Sequence, residues 1–296
     1  MQINIRNMAR TDLERVGEIL FEAFKTGASK YGYAQIIHSA QEGVAWAWSM
    51  YRHGGGEFLI AEAEGRAAGI CCLNKRGDFG GIGPVATDPS YQGHGIGKRL
   101  MTSLLEKAEG LHSVRLFQEA FNAASFSLYY SLNFVPVAVL LDLFLNVDKL
   151  KSAALSDMVS DLTANDLDSV HLFDHPRSKV DRRADFAFYV KWGKVFVYQS
   201  ESRIQGFLAC LPGSRSVQLG PLGAETEEVA LCLFQHALGA FKGRPCQTRV
   251  MARDLLLTRG LQDSGFKLYC LNTLMVRGSW RPGQYIEAFG RFPEGV

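Results

Sequence analysis

The feature that most constrains this chain is a repeat. An apolar, strand-like run broken by a Gly–Pro pair occurs twice, as Ile82-Gly83-Pro84-Val85 and as Leu219-Gly220-Pro221-Leu222, with the two glycines 137 residues apart. Other pairs of segments recur at offsets of 132 to 154 residues. Residues 7–16 are echoed at 161–170. Residues 58–73, with the turn Glu64-Gly65-Arg66, are echoed at 195–211, with Glu201-Ser202-Arg203. Asn133-Phe134 is echoed by Gly265-Phe266, 132 residues on. The similar offsets of the Gly–Pro and Phe pairs predict two copies of one fold in tandem, joined between residues 148 and 156. The domains are therefore expected at 1–148 and 156–296, and 296 residues suffice for two domains of ordinary size.

Within the first copy the pattern predicts strands at 3–6, 58–63, 67–73, 77–87, 113–120 and 134–145. Helical patterns are predicted after Thr11, within 25–53, after Gly97 and over 123–132. Thr11 and Glu14 offer a capping box. The order βα(α)βββαβαβ is an α+β plan with a mixed sheet. Lys25 to His53 is rich in aromatics: Tyr31, Tyr33, Trp46, Trp48 and Tyr51. The tail 280–292 lies outside the repeat, and the sequence leaves open where it docks.

Between the strand ending at Thr87 and the helical pattern Leu100, Leu104, Leu105 lies Gln92-Gly93-His94-Gly95-Ile96-Gly97-Lys98-Arg99. A strand, a glycine-rich turn and a helix N-terminus make an anion site. The first helical amides have no partner within the helix, and the dipole adds positive potential. Glycines let the backbone approach an anion closely and tolerate positive φ. The second copy has Glu225-Thr226-Glu227-Glu228 at this point, carboxylates that would repel a phosphate. One anion site per chain is predicted, in the first copy.

The spacing Gln92-x-x-Gly95-x-Gly97 is neither a dinucleotide fingerprint nor a Walker loop. It resembles the Gln/Arg-x-x-Gly-x-Gly/Ala signature of the GNAT-type N-acetyltransferases. Asn122-x-x-Ser125-x-x-Leu128-Tyr129-x-x-Leu132-Asn133-Phe134 resembles a second run of that family, with Asn133 where Gly is usual. The resemblance implies two tandem GNAT-like domains, the second degenerate, each a mixed, mostly antiparallel sheet flanked by helices. It implies acetyl-CoA as co-substrate, its pyrophosphate on the amides of Gln92, Gly93, His94, Gly95, Ile96, Gly97 and Lys98, and its pantetheine arm along Val85, Ala86 and Thr87. By the same resemblance Asn122 helps to bind the cofactor and Tyr129 protonates the leaving thiolate. In the second copy Leu261 takes the place of Tyr129 and cannot transfer a proton.

The family's common strand glutamate is missing, since Gly83 stands at that position. Asp78, Glu119, His38 and His53 remain as candidate bases, alongside a water chain. The expected reaction moves an acetyl group to an amine of a small molecule or an exposed peptide. The alternatives are a non-catalytic acyl-CoA sensor and transfer of a longer acyl chain. A net charge of +2 argues against nucleic acid as partner. Six cysteines without Cys-x-x-Cys spacing read as buried free thiols in a reducing, cytoplasmic setting. No apolar run spans a bilayer. His171 and His175 share a helix face but lack a third ligand, so no metal is expected. A monomer is favoured, with a homodimer as the alternative.

Overall fold

The computed structural model describes residues 1–33, 35–53, 56–151, 153–280 and 285–290. In chain order the first half holds β1 (Ile3–Asn7), α1 (Leu13–Tyr31), α2 (Ala40–His53), β2 (Gly56–Ala63), β3 (Arg66–Arg76) and β4 (Phe79–Thr87). It continues with α3 (Ile96–Lys107), β5 (Ser113–Glu119), α4 (Ala123–Ser131) and β6 (Val135–Leu145). The second half holds β7 (Val159–Asp161), α5 (Leu167–Ser178), α6 (Arg183–Trp192), β8 (Lys194–Ser200), β9 (Arg203–Pro212) and β10 (Val217–Ala224). After these come α7 (Glu227–Ala240), β11 (Cys246–Met251), α8 (Leu255–Asp263), β12 (Lys267–Gly278) and β13 (Ile286–Phe289). The fold is α+β, each half a mixed, mostly antiparallel sheet with flanking helices.

Two compact units result. The first comprises residues 1–137 with 274–279, and the second 138–273 with the described part of 280–294. The repeat and the units do not share a boundary, because β6 passes from the first unit into the second and β12 passes back. In the first unit Met275 packs among Leu73, Leu116 and Phe134, and the Ser279 amide bonds the His112 carbonyl at 3.2 Å. In the second, β6 pairs antiparallel with β11 from Leu140↔Met251 to Leu145↔Cys246. Leu274, Met275 and Val276 are buried in succession, the mark of a strand covered on both faces.

The first unit's sheet runs β1-β2-β3-β4-β5 and then the end of β12. Its core forms where Ile96, Leu100, Met101, Leu104 and Leu105 of α3 meet Leu59, Ala61, Cys71 and Ile82 of the strands. Each fully buried Leu or Ile contributes about 1.5–3 kcal/mol, so this stripe fixes α3 and the turn before it. Helices α1 and α2 touch backbone to backbone: a Cβ at Gly43 would lie 2.1 Å from the Gly17 carbonyl oxygen. The start of α1 departs from expectation. Thr11 is not its cap; a 3-10 turn, Arg10–Asp12, precedes Leu13. The Asp12 carboxylate accepts the Ala9 amide at 2.7 Å and is gripped by Arg6 at 2.7 and 2.9 Å. Asp12 thus fastens the turn ahead of α1 with charged hydrogen bonds, and no side chain makes a cap bond to α1 itself.

In the second unit β7, β8, β9 and β10 form a meander, and β13 lies between β10 and β11. Its cores gather Leu208, Leu222, Leu233 and Phe234 on one side, and Phe173, Phe186, Tyr189 and Phe207 on the other. No helix among the described residues is long and apolar enough to cross a membrane.

Candidate active site

Strands β4 and β5 of the first unit run parallel from Phe79↔Ser113 to Ile82↔Leu116 and then part. Beyond that point β4 stays paired to β3 at Val85↔Cys71, Ala86↔Ile70 and Thr87↔Gly69, while its other edge opens. Gly83, at φ 156°, is where they separate, and a Cβ built there meets nothing within 4 Å. The result is a groove along the β4 edge from Gly83 to Ala86, where among the described residues no neighbouring strand pairs with it. Such an edge takes an extended chain as an added strand.

The groove ends at the glycine loop. Gly93 and Gly95 adopt φ of 82° and 75°, left-handed values that favour glycine. Gly95 is the N-cap of α3, and the first helical bond runs from the Arg99 amide to the Gly95 carbonyl at 3.1 Å. The amides of Ile96, Gly97 and Lys98 therefore head the helix. Ile96 is buried and anchors the turn, while residues 92–95 and Lys98 are exposed. Gly97 faces α4, where a Cβ would sit 3.3 Å from the Leu128 side chain. Gln92 turns back and donates from Nε2 to the Thr87 carbonyl at 3.3 Å. The His94 ring folds onto the Tyr91 and Gln92 carbonyls, so what it presents outward is its backbone.

A clamp that local pattern does not reveal holds this turn. Asp88 accepts the Ser90 amide at 2.8 Å and pairs with Arg15 of α1, which also donates to the Ala67 carbonyl at 3.2 Å. Burial raises the Asp88 carboxyl, but the Ser90 amide and Arg15 outweigh it and hold the group below its ordinary range. The pair is 73 residues apart in sequence, so no local signal marks it.

At the end of β5, Asn122 caps α4 by accepting the Ser125 amide at 3.1 Å. Gln118 Nε2 donates to the Asn122 carbonyl at 2.8 Å and to Ser125 Oγ at 3.2 Å, fixing the strand-to-helix corner. Two turns along α4, Tyr129 is 8% exposed and packs edge-on to Phe134 at 6.3 Å. Burial, then the Glu119 charge, then Cys71, push its hydroxyl well above the ordinary tyrosine value. Tyr129 therefore stays protonated and sits within electrostatic reach of the β5 terminus and of the β3 residue paired to Val85.

The candidate bases are scattered. Asp78 lies in the β3–β4 turn, its carbonyl bonded to the His112 amide. That is roughly 20 Å from Val85 along the strand at about 3.3 Å per residue. His38 is exposed between α1 and α2, its amide bonded to Glu42. The His53 side chain lies outside the described residues. Glu119 ends β5, three residues beyond the last pair Ile82↔Leu116 and within electrostatic reach of Tyr129.

The aromatics divide into three groups. Tyr33 stacks on Phe121 at 4.0 Å, and Tyr31 meets the same ring at 5.3 Å. Trp46 packs on Phe24 at 5.6 Å. Trp48 carries the guanidinium groups of Arg10 and Arg52 at 5.0 and 5.2 Å. Only the first group stands beside the Asn122 corner. His171 and His175 rings are 5.0 Å apart, but His171 Nε2 is held at 2.9 Å by Arg183, and burial and that cation lower its pKa. Among the described residues no group of three His, Cys, Asp or Glu side chains is placed to hold a metal. A separate cavity of about 540 Å³ lies at the far end of α3, lined by Glu106, Ser131, Asn133 and Arg277, away from the loop.

Comparison with known proteins places these features in context. Residues 15–134 match the acetyltransferase (GNAT) family model and residues 180–290 match a second acetyltransferase (GNAT) domain model. An uncharacterized N-acetyltransferase of Methanocaldococcus jannaschii is 29% identical over 142 residues, 44% of this chain. The match spans 59% of that relative's length. A putative acetyltransferase from Pyrococcus horikoshii has a TM-score of 0.76 at 17% identity, covering 97% of this chain and 93% of that one. A tandem GNAT protein from the clavulanic acid biosynthesis pathway has a TM-score of 0.64 at 13% identity, covering 95% of this chain and 100% of that one. At these identities the likeness to the solved structures concerns the fold.

Proposed function

Because this chain belongs to the GNAT acetyltransferase family, we propose that its first unit binds acetyl-CoA and moves the acetyl group directly to an amine of a small molecule or an exposed peptide. The observation that carries this reading is the opening of β4 from β5 at Gly83, leading straight to the glycine-headed α3. The head amides of α3 hold the pyrophosphate, and Lys98 adds charge. The edge of Val85, Ala86 and Thr87 holds the pantetheine arm as an added strand. The Asn122 side-chain oxygen is engaged in the cap, so its contribution is to hold the corner against which the cofactor rests.

The chemistry needs little covalent help, since a thioester is already activated. The neutral amine attacks the carbonyl carbon, a C–N bond forms, and the C–S bond breaks. Holding the two together supplies most of the acceleration. Tyr129, kept protonated by burial, gives its proton to the departing thiolate. Glu119, at the end of β5 and within electrostatic reach of Tyr129, takes the proton that the amine loses. Phe121 with Tyr31 and Tyr33 forms an aromatic wall for a flat or cationic acceptor. The free cysteines, five of them buried, suit a reducing cytoplasm.

The test is thiol release from acetyl-CoA across a panel of aliphatic, aromatic and peptide amines. Turnover with at least one class is expected. Tight coenzyme A binding with no turnover on any amine would replace catalysis with an acyl-CoA sensor.

A further inference from the structure

The second unit repeats the opening. Strands β10 and β11 are parallel only at Val217↔Cys246 and Gln218↔Gln247, and then part. Here the gap is filled. β13 runs antiparallel to β10 at Leu222↔Ala288, Gly223↔Glu287 and Ala224↔Ile286, and antiparallel to β11 at Arg249↔Phe289 and Val250↔Ala288. By the offset between the Gly–Pro pairs, Leu222, Gly223 and Ala224 correspond to Val85, Ala86 and Thr87, the exposed edge of the first unit.

The glycines show how close the fit is. A Cβ at Gly220 would lie 2.5 Å from the Phe289 carbonyl carbon and from the Gly290 amide, where its counterpart Gly83 meets nothing within 4 Å. A Cβ at Gly223 would lie 2.2 Å from the Tyr285 ring. Tyr285, Glu287, Ala288 and Phe289 are all buried. The segment is also tied down: the Tyr285 hydroxyl donates to Asp174 at 2.5 Å, and Arg182 holds both oxygens of the same carboxylate at 2.9 and 3.0 Å.

The anion end is self-occupied too. Glu227, in the first turn of α7, accepts the Leu257 amide at the head of α8 at 2.7 Å. Glu225 accepts from Arg177 at 2.7 Å and from Arg203 at 2.6 and 2.8 Å. At the head of α7 itself the Val229 amide is taken by Thr226 Oγ1 at 3.3 Å, and the neighbouring carboxylates would repel a phosphate.

We propose that the groove of the second unit is a peptide-strand site whose resident ligand is the chain's own segment 285–290, so that this unit takes no acyl-CoA. The first unit's groove is offered to a ligand from solution; the second has that ligand built in. This holds whether or not the first unit turns over acetyl-CoA.

Amide hydrogen exchange on the full chain, read by mass spectrometry with and without coenzyme A, tests it. Without ligand, the amides of 222–224 and 287–289 should exchange on the order of a hundredfold or more slower than free peptide, as paired interior strands do. Adding coenzyme A should leave them unchanged while slowing residues 85–98. Free-peptide exchange at 222–224, or new protection there on adding coenzyme A, overturns the proposal. If coenzyme A changes neither region, the cofactor reading of the first unit fails, while slow exchange at 287–289, which pair only with β10 and β11, still supports the filled groove.

Discussion

Gly83 and Gly220 occupy the same place in the two units, with φ of 156° and 138° at the same parting of strands. One opens onto an unpaired strand edge and the other is pressed against its own chain. The cores around them are built alike, from a helix stripe on a mixed sheet. What separates a ligand site from a closed one is therefore not the fold. It is four residues of β13, and carboxylates in place of glycines at one helix head. Both changes act on backbone groups that must find partners. In the first unit, on the proposed reading, those partners would come from a bound cofactor. In the second they come from β13 and, at the head of α7, from Thr226.

The sharpest way to break this contrast is to make the first unit's anion loop resemble the second. Gly95→Glu puts a carboxylate at the head of α3. Two like charges about 4 Å apart at a protein surface repel by about 4 kcal/mol. Coenzyme A affinity measured by calorimetry should fall roughly a thousandfold, with circular dichroism unchanged. The converse, Glu227→Gly, should create no second binding site, because β13 still fills the groove. A stoichiometry of two in that variant would show the carboxylate, not the strand, to be what closes the second unit.

The next effect is catalytic. Tyr129→Phe removes a hydroxyl that Leu261 never supplied to the second unit. Loss of a positioned acid is expected to lower kcat on the order of a hundredfold, with coenzyme A affinity unchanged. Since the Tyr129 hydroxyl is pushed above its ordinary value of about 10, the wild-type kcat should show no alkaline fall from this group below about pH 10. Equal kcat in the variant would leave Tyr129 as a core aromatic beside Phe134.

The tandem plan, the strand order and the glycine loop were legible in the sequence because each rests on short-range signals: period-2 apolar runs, Gly–Pro pairs and glycine spacing. Asn122 was singled out by resemblance as a cofactor contact; that its side chain caps α4 is what the structure adds. The passage of β6 and β12 between units was not legible, because apolar runs carry no mark of which edge they will pair with. Nor was β13. Ile286 to Phe289 has no pattern of its own, and its place depends on a gap between strands some 40 to 70 residues earlier. The Arg15–Asp88 clamp and the choice of Asp12 over Thr11 depend likewise on which charges the fold brings together.

A smaller effect separates the two helix caps. Asp254 caps α8 as Asn122 caps α4, but its side chain makes no capping bond. Burial pushes its carboxyl up to about 6; Arg253 opposes the rise, and Glu227 and Glu287 add to it. A folded-state value above the unfolded one means the folded chain holds this proton longer. Its contribution to stability is full below about pH 4 and is lost as pH rises through about 6. Asp254→Asn, which copies the first unit's cap, should therefore be more stable than wild type by about 1–2 kcal/mol at pH 7.5, with the difference shrinking towards pH 4. Urea denaturation at both pH values reads this. An equal loss at both would mean that the charged carboxylate is needed.

The smallest effect bears most directly on what kind of site the first unit owns. Lys98 is exposed in the first turn of α3, where a lone surface charge near an anion is worth about 0.3–1 kcal/mol. Lys98→Gln should weaken coenzyme A two- to fivefold at low salt. The loss should fade in 1 M salt, where the screening length falls to about 3 Å. Head amides of a helix cannot be deleted by side-chain substitution, so a weak, salt-sensitive response is what a backbone-built cradle gives. A loss of fiftyfold or more that survives high salt would move the anchor from the backbone to the lysine. The two units would then differ in the charge they carry, and the filled groove would be a consequence of that difference.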